Sequence, residues 1–98
     1  MSEIRIVRYR TRPEAAEENQ RIVEKVFAEL NAEDPGGVRY ASFRLADGVS
    51  FVHIVVHEGE EDPLGASAAF AEFQRGIRDR VAGPPEAQAA TMVGSYRL

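Results

Sequence analysis

The stretch VRYASFRLADGVSFVHIVVH, residues 38–57, decides the fold of this chain. It contains two β-branched and aromatic runs, residues 38–45 and 50–57, whose composition is typical of strands. Between them, Asp47 and Gly48 favour a tight turn because both residues tolerate positive φ. The stretch therefore predicts an antiparallel β-hairpin around which the other elements assemble.

A two-residue turn also predicts which side chains share a face of the hairpin. One face carries the opposed pairs Ala41 with Ile54, Phe43 with Val52 and Arg39 with Val56. Because this face is nearly all apolar, we expect it to pack beneath helices, with Phe43 and Ile54 in the core.

The opposite face of the hairpin is mixed, and carries the pairs Tyr40 with Val55, Ser42 with His53, Arg44 with Phe51 and Val38 with His57. A sheet face that meets water is expected to be polar, whereas this one has several large apolar groups. We therefore predict that a second copy of the chain covers it, giving a homodimer through the sheet face. The candidate interface residues are Tyr40, Phe51, His53 and Val55.

Patterns on either side of the hairpin complete an alternating order of strands and helices. Residues 4–9 have strand composition, and residues 11–14 have the Thr-x-x-Glu form of a capping box, which predicts the start of a helix. Apolar residues then recur at helical spacing until a stop at residues 34–37.

A second apolar helical stripe runs over residues 66–81, and residues 90–98 are predicted as the last strand, weakened at Gly94. The resulting order is βαββαβ. It predicts one ferredoxin-like α+β domain over residues 1–98, an antiparallel sheet with two helices on one face.

Composition excludes several kinds of function. The 98 residues include no cysteine and two histidines, and the formal net charge is -4. There is thus no disulfide, thiolate zinc site or cysteine nucleophile, and no histidine-rich metal site. The acidic balance argues against nucleic acid as the main partner, and no apolar run is long enough for a membrane span. We expect a bacterial, cytoplasmic protein.

The βαββαβ order, the Gly-Val-Arg-Tyr run at residues 37–40, the Asp-Gly turn and the phenylalanine-bearing second helix resemble the antibiotic-biosynthesis-monooxygenase-like domains. The resemblance covers nearly the whole chain and is one of architecture. It implies a dimeric α/β barrel, in which two sheets pack face to face, and no cofactor. It also implies a small aromatic or polyketide-like substrate.

The same resemblance implies residue types for an active site. Polyketide oxygenases of this kind place Trp, Asn, Tyr and Arg around a pocket, and haem degraders use an Asn on strand 1 with a Trp and a His. This chain has no Trp, and residues 4–9 include no Asn. Haem degradation is therefore not expected, and whether the chain is an enzyme stays open.

Asn19 stands out among the polar residues because it lies at the centre of the apolar stripe of the first helix. It is expected to point into the core, where an amide needs partners for both its donor and its acceptor. Two interpretations remain. Asn19 either makes a structural hydrogen bond to strand or loop backbone, or orients a ligand in a pocket between helix and sheet.

The candidate residues for the wall of such a pocket are Asn19, Phe43, Ile54, Phe70 and Phe73. Gly76, near the same face of the second helix, either leaves a hollow or lets a strand approach the helix closely.

His53 and His57 are two pleats apart and cannot bind one metal ion together. His53 is either a hydrogen-bonded interface residue, or a general acid or base, or a residue that binds a ligand across a dimer interface.

Two functions follow from these observations. The first is a cofactor-independent monooxygenase or isomerase that binds a small aromatic molecule in a hydrophobic pocket. The second is a non-catalytic homodimer that binds a small molecule or serves as an interaction module. A pocket of ligand-binding size with Asn19 at its wall would favour the enzyme, whereas a solid core would exclude it.

Overall fold

The computed structural model describes residues 3–98, which form a four-stranded antiparallel sheet and two α-helices. In chain order the elements are β1 (Glu3–Arg10), a 3-10 turn (Pro13–Ala15), α1 (Ala16–Glu33), β2 (Val38–Arg44), β3 (Ser50–His57), α2 (Ala68–Arg80) and β4 (Glu86–Ala90). The strands lie in the order β2-β3-β1-β4. The predicted ferredoxin-like α+β fold is thus confirmed. Between residues 3 and 98, neither helix is long and apolar enough to cross a membrane.

The register of the hairpin is as the turn predicts, with Ala41 opposite Ile54. Gly48 adopts a φ of 79°, in the region that favours glycine. The carboxylate of Asp47 accepts hydrogen bonds from the hydroxyl and the backbone N–H of Ser50, at 2.6 and 2.8 Å. These bonds favour the ionised form and lower the pKa of Asp47 to about 2.

The assignment of the two hairpin faces is wrong, because the helices cover the mixed face. Phe51, His53 and Val55 are buried within a single chain, and Tyr40 packs against the same core. These four residues, predicted at a homodimer interface, therefore lie beneath the helices. The core cluster joins them to side chains of both helices, among them Val26 and Phe73.

The apolar face that was expected in the core lies on the side of the sheet away from the helices, and we call it the outer face; its β2 and β3 residues are Arg39, Ala41, Phe43, Val52, Ile54 and Val56. Val56 is nonetheless buried. Phe43 is 48% exposed, and Ile54 is half-buried. Both hairpin faces are apolar enough to be buried, so composition does not distinguish them. The mixed face is buried at little cost because Tyr40 and His53 hydrogen-bond to each other there.

α1 begins at Ala16, later than predicted, and residues 11–14 do not form a capping box. Thr11 is fully buried, and its hydroxyl donates to the carbonyl oxygen of Val49 at 3.3 Å, so it is not available as a cap. The predicted stop is confirmed, since Asp34 follows the last residue of α1 with a φ of 45°.

α2 begins at Ala68 because two side chains bind its first N–H groups. The hydroxyl oxygen of Ser67 accepts from the N–H of Phe70 at 3.0 Å. The carboxylate of Glu29, on α1, accepts from the hydroxyl of Ser67 and from the N–H of Ala69. These bonds lower the pKa of Glu29 and fasten α1 to the start of α2.

The last strand is β4, Glu86–Ala90, and the prediction of a strand over residues 90–98 is wrong. β4 pairs with β1 from Arg8 opposite Glu86 to Ile4 opposite Ala90. Its sequence, EAQAA, has weak intrinsic strand preference, so pairing with the free edge of β1 outweighs local propensity.

Residues 91–98 contain no strand or helix and lie along the outer face. Met92 and Leu98 line a groove there of about 370 Å³, together with Phe43 and Ile54. Large apolar side chains in this segment remain exposed.

Candidate active site

Five polar side chains form a continuous buried network between the helices and the sheet: Arg80, Asn19, Tyr9, His53 and Tyr40. Arg80 Nε donates to Asn19 Oδ1 at 2.9 Å, and Asn19 Nδ2 donates to the hydroxyl oxygen of Tyr9 at 2.9 Å. The Tyr9 hydroxyl lies 2.8 Å from His53 Nε2, and the Tyr40 hydroxyl lies 2.6 Å from His53 Nδ1. We refer to these residues as the buried network.

Three strands and both helices supply the residues of this network. Three neighbouring strands carry Tyr9, His53 and Tyr40, whose rings stack, with centroids 5.3 Å apart for Tyr9 and His53 and 5.8 Å for Tyr40 and His53. Asn19 lies in the first turn of α1, and Arg80 is the last residue of α2. The network therefore exists only when both helices are docked on the sheet.

Asn19 occupies the core position that its helical spacing predicts, and is 0% exposed. Among residues 3–98, its hydrogen-bond partners are the side chains of Arg80 and Tyr9, and no backbone group is one of them. Asn19 is not at the wall of a cavity, because Tyr9 lies between it and the open space. It fits neither simple interpretation and instead links a buried cation to the tyrosine.

Arg80 carries a buried positive charge, since its residue is 5% exposed. It donates to the carbonyl oxygen of Phe73 at 3.0 Å and lies over the Phe73 ring, 5.5 Å from its centroid. No ion pair among residues 3–98 involves Arg80. A Cβ at Gly76 would approach Arg80 Nη1 to 2.5 Å, so the space that the glycine leaves is taken by the guanidinium.

Burial sets the protonation of the three rings. Desolvation lowers the pKa of His53 to about 4, because the charged imidazolium is disfavoured there. Desolvation also raises the pKa of Tyr9 to about 12, against opposing effects of the Asn19 hydrogen bond and the Arg80 charge. The pKa of Tyr40 is raised by the same cause. All three groups are therefore neutral near pH 7.

A cavity of about 180 Å³ opens beside the network, between the sheet and α2. Most of its lining is aliphatic or aromatic, and the lining residues are Val7, Tyr9, Tyr40, His53, Val55, Phe70, Phe73, Gln74, Ile77 and Pro85. The core is thus not solid, although this volume is below the usual range for drug-sized ligands. A small ring compound with one or two polar groups matches such a space.

The structure brings together some of the predicted pocket residues and separates others. Phe70 and Phe73 line the cavity, as expected, whereas Phe43 and Ile54 lie on the outer face beside a different groove. His57 lies at the end of β3 and is not part of the network. No group of three or more metal-binding side chains comes together within residues 3–98.

Sequence reasoning missed Tyr9 and Arg80 as site residues. Tyr9 is two residues from Val7 on one face of β1, and Arg80 follows Phe73 and Ile77 along the apolar stripe of α2. A charged residue on an apolar helical stripe is therefore the signal that would have identified Arg80.

Comparison with known proteins finds structural relatives only. No family model and no curated protein matches the chain. A protein from Bacteroides thetaiotaomicron, described as a candidate antibiotic biosynthesis monooxygenase, is similar with a TM-score of 0.79 at 19% identity, over 94% of this chain and 90% of that one.

Two further structures extend the similarity to named oxygenases. SnoaB, a cofactor-independent oxygenase from Streptomyces nogalater, has a TM-score of 0.69 at 20% identity, over 99% of this chain and 98% of that one. The ActVA-Orf6 monooxygenase of Streptomyces coelicolor, in complex with nanaomycin D, has a TM-score of 0.69 at 21% identity, over 97% of this chain and 90% of that one. The protein thus has the ferredoxin-like fold of the antibiotic biosynthesis monooxygenases.

Proposed function

We propose that this protein is a cytoplasmic, cofactor-independent monooxygenase that oxidises a small aromatic or polyketide-like phenol in the cavity beside the buried network. The observation that carries the proposal is the network itself, which ends in the hydroxyl of Tyr40 at the wall of an apolar cavity. Its residues include Asn, Tyr and Arg, three of the four types that the family resemblance implies. The fold shared with SnoaB and the ActVA-Orf6 monooxygenase supports the same kind of chemistry.

The reaction needs no reductant other than the substrate. A phenol with a free para carbon and one O₂ give a quinone and one water: one oxygen atom enters the ring and the other leaves as water. The substrate supplies four electrons, and its O–H and C–H supply the two hydrogens of the water. Phe70 and Phe73 would hold the ring, and Tyr40 would bind the phenolic oxygen.

Oxygen uptake with a dihydroxynaphthalene as substrate tests this function. We expect turnover in air that is absent under argon, and we expect Tyr40→Phe to lower the rate about a hundredfold because it removes the hydroxyl that contacts the substrate. Tyr96→Phe is the matched control, since the same atom is removed from an exposed tyrosine. Wild-type uptake no faster than in buffer would contradict the proposal.

A second candidate is a non-catalytic homodimer that binds a small molecule, and the lack of any Trp in the chain favours it. In that case the same dihydroxynaphthalene would bind without oxygen uptake. Calorimetry on the protein used for the oxygen measurement therefore separates the two functions.

We also propose that the protein is a homodimer in which the outer faces of the two sheets meet, and not the mixed faces. Phe43 is 48% exposed there, and the apolar residues of neighbouring strands adjoin it. An exposed apolar sheet face of this kind marks an interaction surface in a soluble protein. The apolar groove between the outer face and residues 91–98 adds to this surface.

Light scattering tests the dimer. We expect the wild-type protein to have the mass of two chains at micromolar concentration, and we expect Phe43→Glu to halve that mass, because a carboxylate would be buried without a partner. Ala28→Glu, which adds the same charge at an exposed position on α1, is expected to stay dimeric. A monomeric wild type would contradict the proposal.

A further inference from the structure

The hydrogen bonds of the buried network all run in one direction, from donor to acceptor, starting at Arg80. A guanidinium donates hydrogen bonds and accepts none, so the group that meets Arg80 Nε must be the amide oxygen of Asn19. The amide nitrogen of Asn19 then faces Tyr9 and donates to its hydroxyl oxygen. Arg80 thereby fixes the orientation of the amide and makes Tyr9 an acceptor on that side.

The direction continues through His53. The neutral imidazole has one N–H donor and one acceptor nitrogen, and each nitrogen contacts a tyrosine hydroxyl. If Nε2 carried the proton, the Tyr9 oxygen would accept twice and its own O–H would have no acceptor. Tyr9 is 4% exposed, so an unpaired O–H there would cost the full desolvation of that group. The proton of Tyr9 therefore points to Nε2, and Nδ1 carries the N–H.

The direction ends at Tyr40. With the N–H of His53 on Nδ1, the Tyr40 oxygen accepts that bond, and its own proton has no acceptor among the described residues. Tyr40 is half-buried and lines the cavity, where that proton is offered. No carboxylate lies among the cavity-lining residues, and Arg80 has no counter-ion among the described residues. The cavity is thus lined by a hydrogen-bond donor, and the Phe73 side chain in its wall has the buried guanidinium of Arg80 over its ring.

We propose that the cavity binds its substrate as an oxyanion, a phenolate or enolate, whose charged oxygen accepts the hydrogen bond of Tyr40, and that Arg80 and Asn19 are positioning residues that set this polarity. The inference rests on the proposed function, since it takes the cavity as the substrate site and adds the ionised state of the substrate. A charge-assisted hydrogen bond is stronger than a neutral one, so the anion is preferred over the neutral phenol. The phenolate is also the electron-rich form that the oxygenation needs.

The polarity of the network can be reversed with one isosteric change. Asn19→Asp keeps the acceptor for Arg80 but replaces the amide donor with a second acceptor oxygen, so the Tyr9 proton turns towards residue 19. Tyr9 then accepts from Nε2–H of His53, Nδ1 accepts the proton of Tyr40, and the cavity loses its donor. Nitrogen-15 NMR of His53 distinguishes the two tautomers. We expect the Nδ1–H form in the wild type and the Nε2–H form in Asn19→Asp, and an Nε2–H wild type would overturn the proposal.

Binding of 4-nitrophenol tests the ligand class, because its ionisation is followed by visible absorbance. We expect the pKa of bound 4-nitrophenol to fall by about one unit, a tenfold preference for the anion, in the wild type. Nitrobenzene keeps the ring and nitro group but lacks the phenolic oxygen, and is expected to bind at least tenfold more weakly. Tyr40→Phe is expected to abolish the ionisation shift, and provides the test if Asn19→Asp does not fold.

An unshifted pKa of the bound phenol would overturn the proposal, as would equal binding of nitrobenzene. A shifted pKa of the bound phenol without oxygen uptake supports oxyanion binding and contradicts only the proposed monooxygenase activity. The two proposals therefore fail in different experiments.

Discussion

The free energy of unfolding is expected to fall by about 3 kcal/mol between pH 7 and pH 4, because His53 must stay neutral in the folded protein. The pKa of His53 is lowered by burial from 6.5 to about 4. Between these values the unfolded chain binds a proton that the folded chain does not, so stability rises with pH. The contribution of this group is complete above about pH 6.5 and is lost as the pH falls towards 4.

Urea unfolding at half-unit pH steps measures this effect. The side chains packed against His53 are Tyr9, Tyr40 and Phe73, and none of them titrates in this interval. Asp47 titrates near pH 2, outside the interval, and the lowered pKa of Glu29 adds to the slope only at the acidic end, below its ordinary pKa of 4.5. His53→Gln is expected to remove most of the slope between pH 4 and 6.5. His57→Gln, at the other histidine of β3, is expected to keep it, and parallel curves for the wild type and His53→Gln would contradict the assignment.

Asn19→Ala is expected to lower the free energy of unfolding by about 3 kcal/mol, because it leaves Nε of a buried guanidinium without its acceptor. Arg80 Nε and the Tyr9 hydroxyl each lose a partner where Asn19 is 0% exposed. Denaturant unfolding at pH 7 measures the loss. Asn31→Ala, at an exposed position on the same helix, is expected to change stability by less than about 0.5 kcal/mol.

A double variant identifies the cause of that loss. Arg80→Met removes the charge and keeps an apolar side chain of similar length, so Asn19→Ala is expected to cost less in the Arg80→Met background than in the wild type. Equal costs in the two backgrounds would show that the loss comes from the cavity left by the amide and not from the unpaired guanidinium.

Features that are set by residues close together in sequence can be predicted, whereas features that are set by contacts between distant residues cannot. The register of the hairpin is local, since Asp47 and Gly48 set it, and it was predicted correctly. Which face of the hairpin meets the helices depends on hydrogen bonds between distant side chains, and could not be read from two similarly apolar faces. β4 was misplaced for the same reason, because its strand state comes from pairing with β1.

The candidate site was predicted in part. The helical spacing of Asn19 places it in the core, where the structure has it, and Phe70 and Phe73 line the cavity. Arg80, one of the two partners of Asn19, is 61 residues away in sequence. A buried arginine is also unusual, because charged side chains are rarely buried unless they are paired. Only the docking of α2 against α1 brings Arg80 to Asn19.

The residue at position 76 and the position of the Arg80 guanidinium depend on each other in the folded chain. The Cβ atom of any side chain at position 76 would lie 2.5 Å from Arg80 Nη1, which is too close. Alanine would otherwise be the better residue in a helix. In this chain, Gly76→Ala is therefore expected to displace the guanidinium of Arg80, whereas the same change in an Arg80→Met background is not. A residue other than glycine at position 76 of a related chain is therefore expected to indicate that the guanidinium of residue 80 is absent or lies elsewhere.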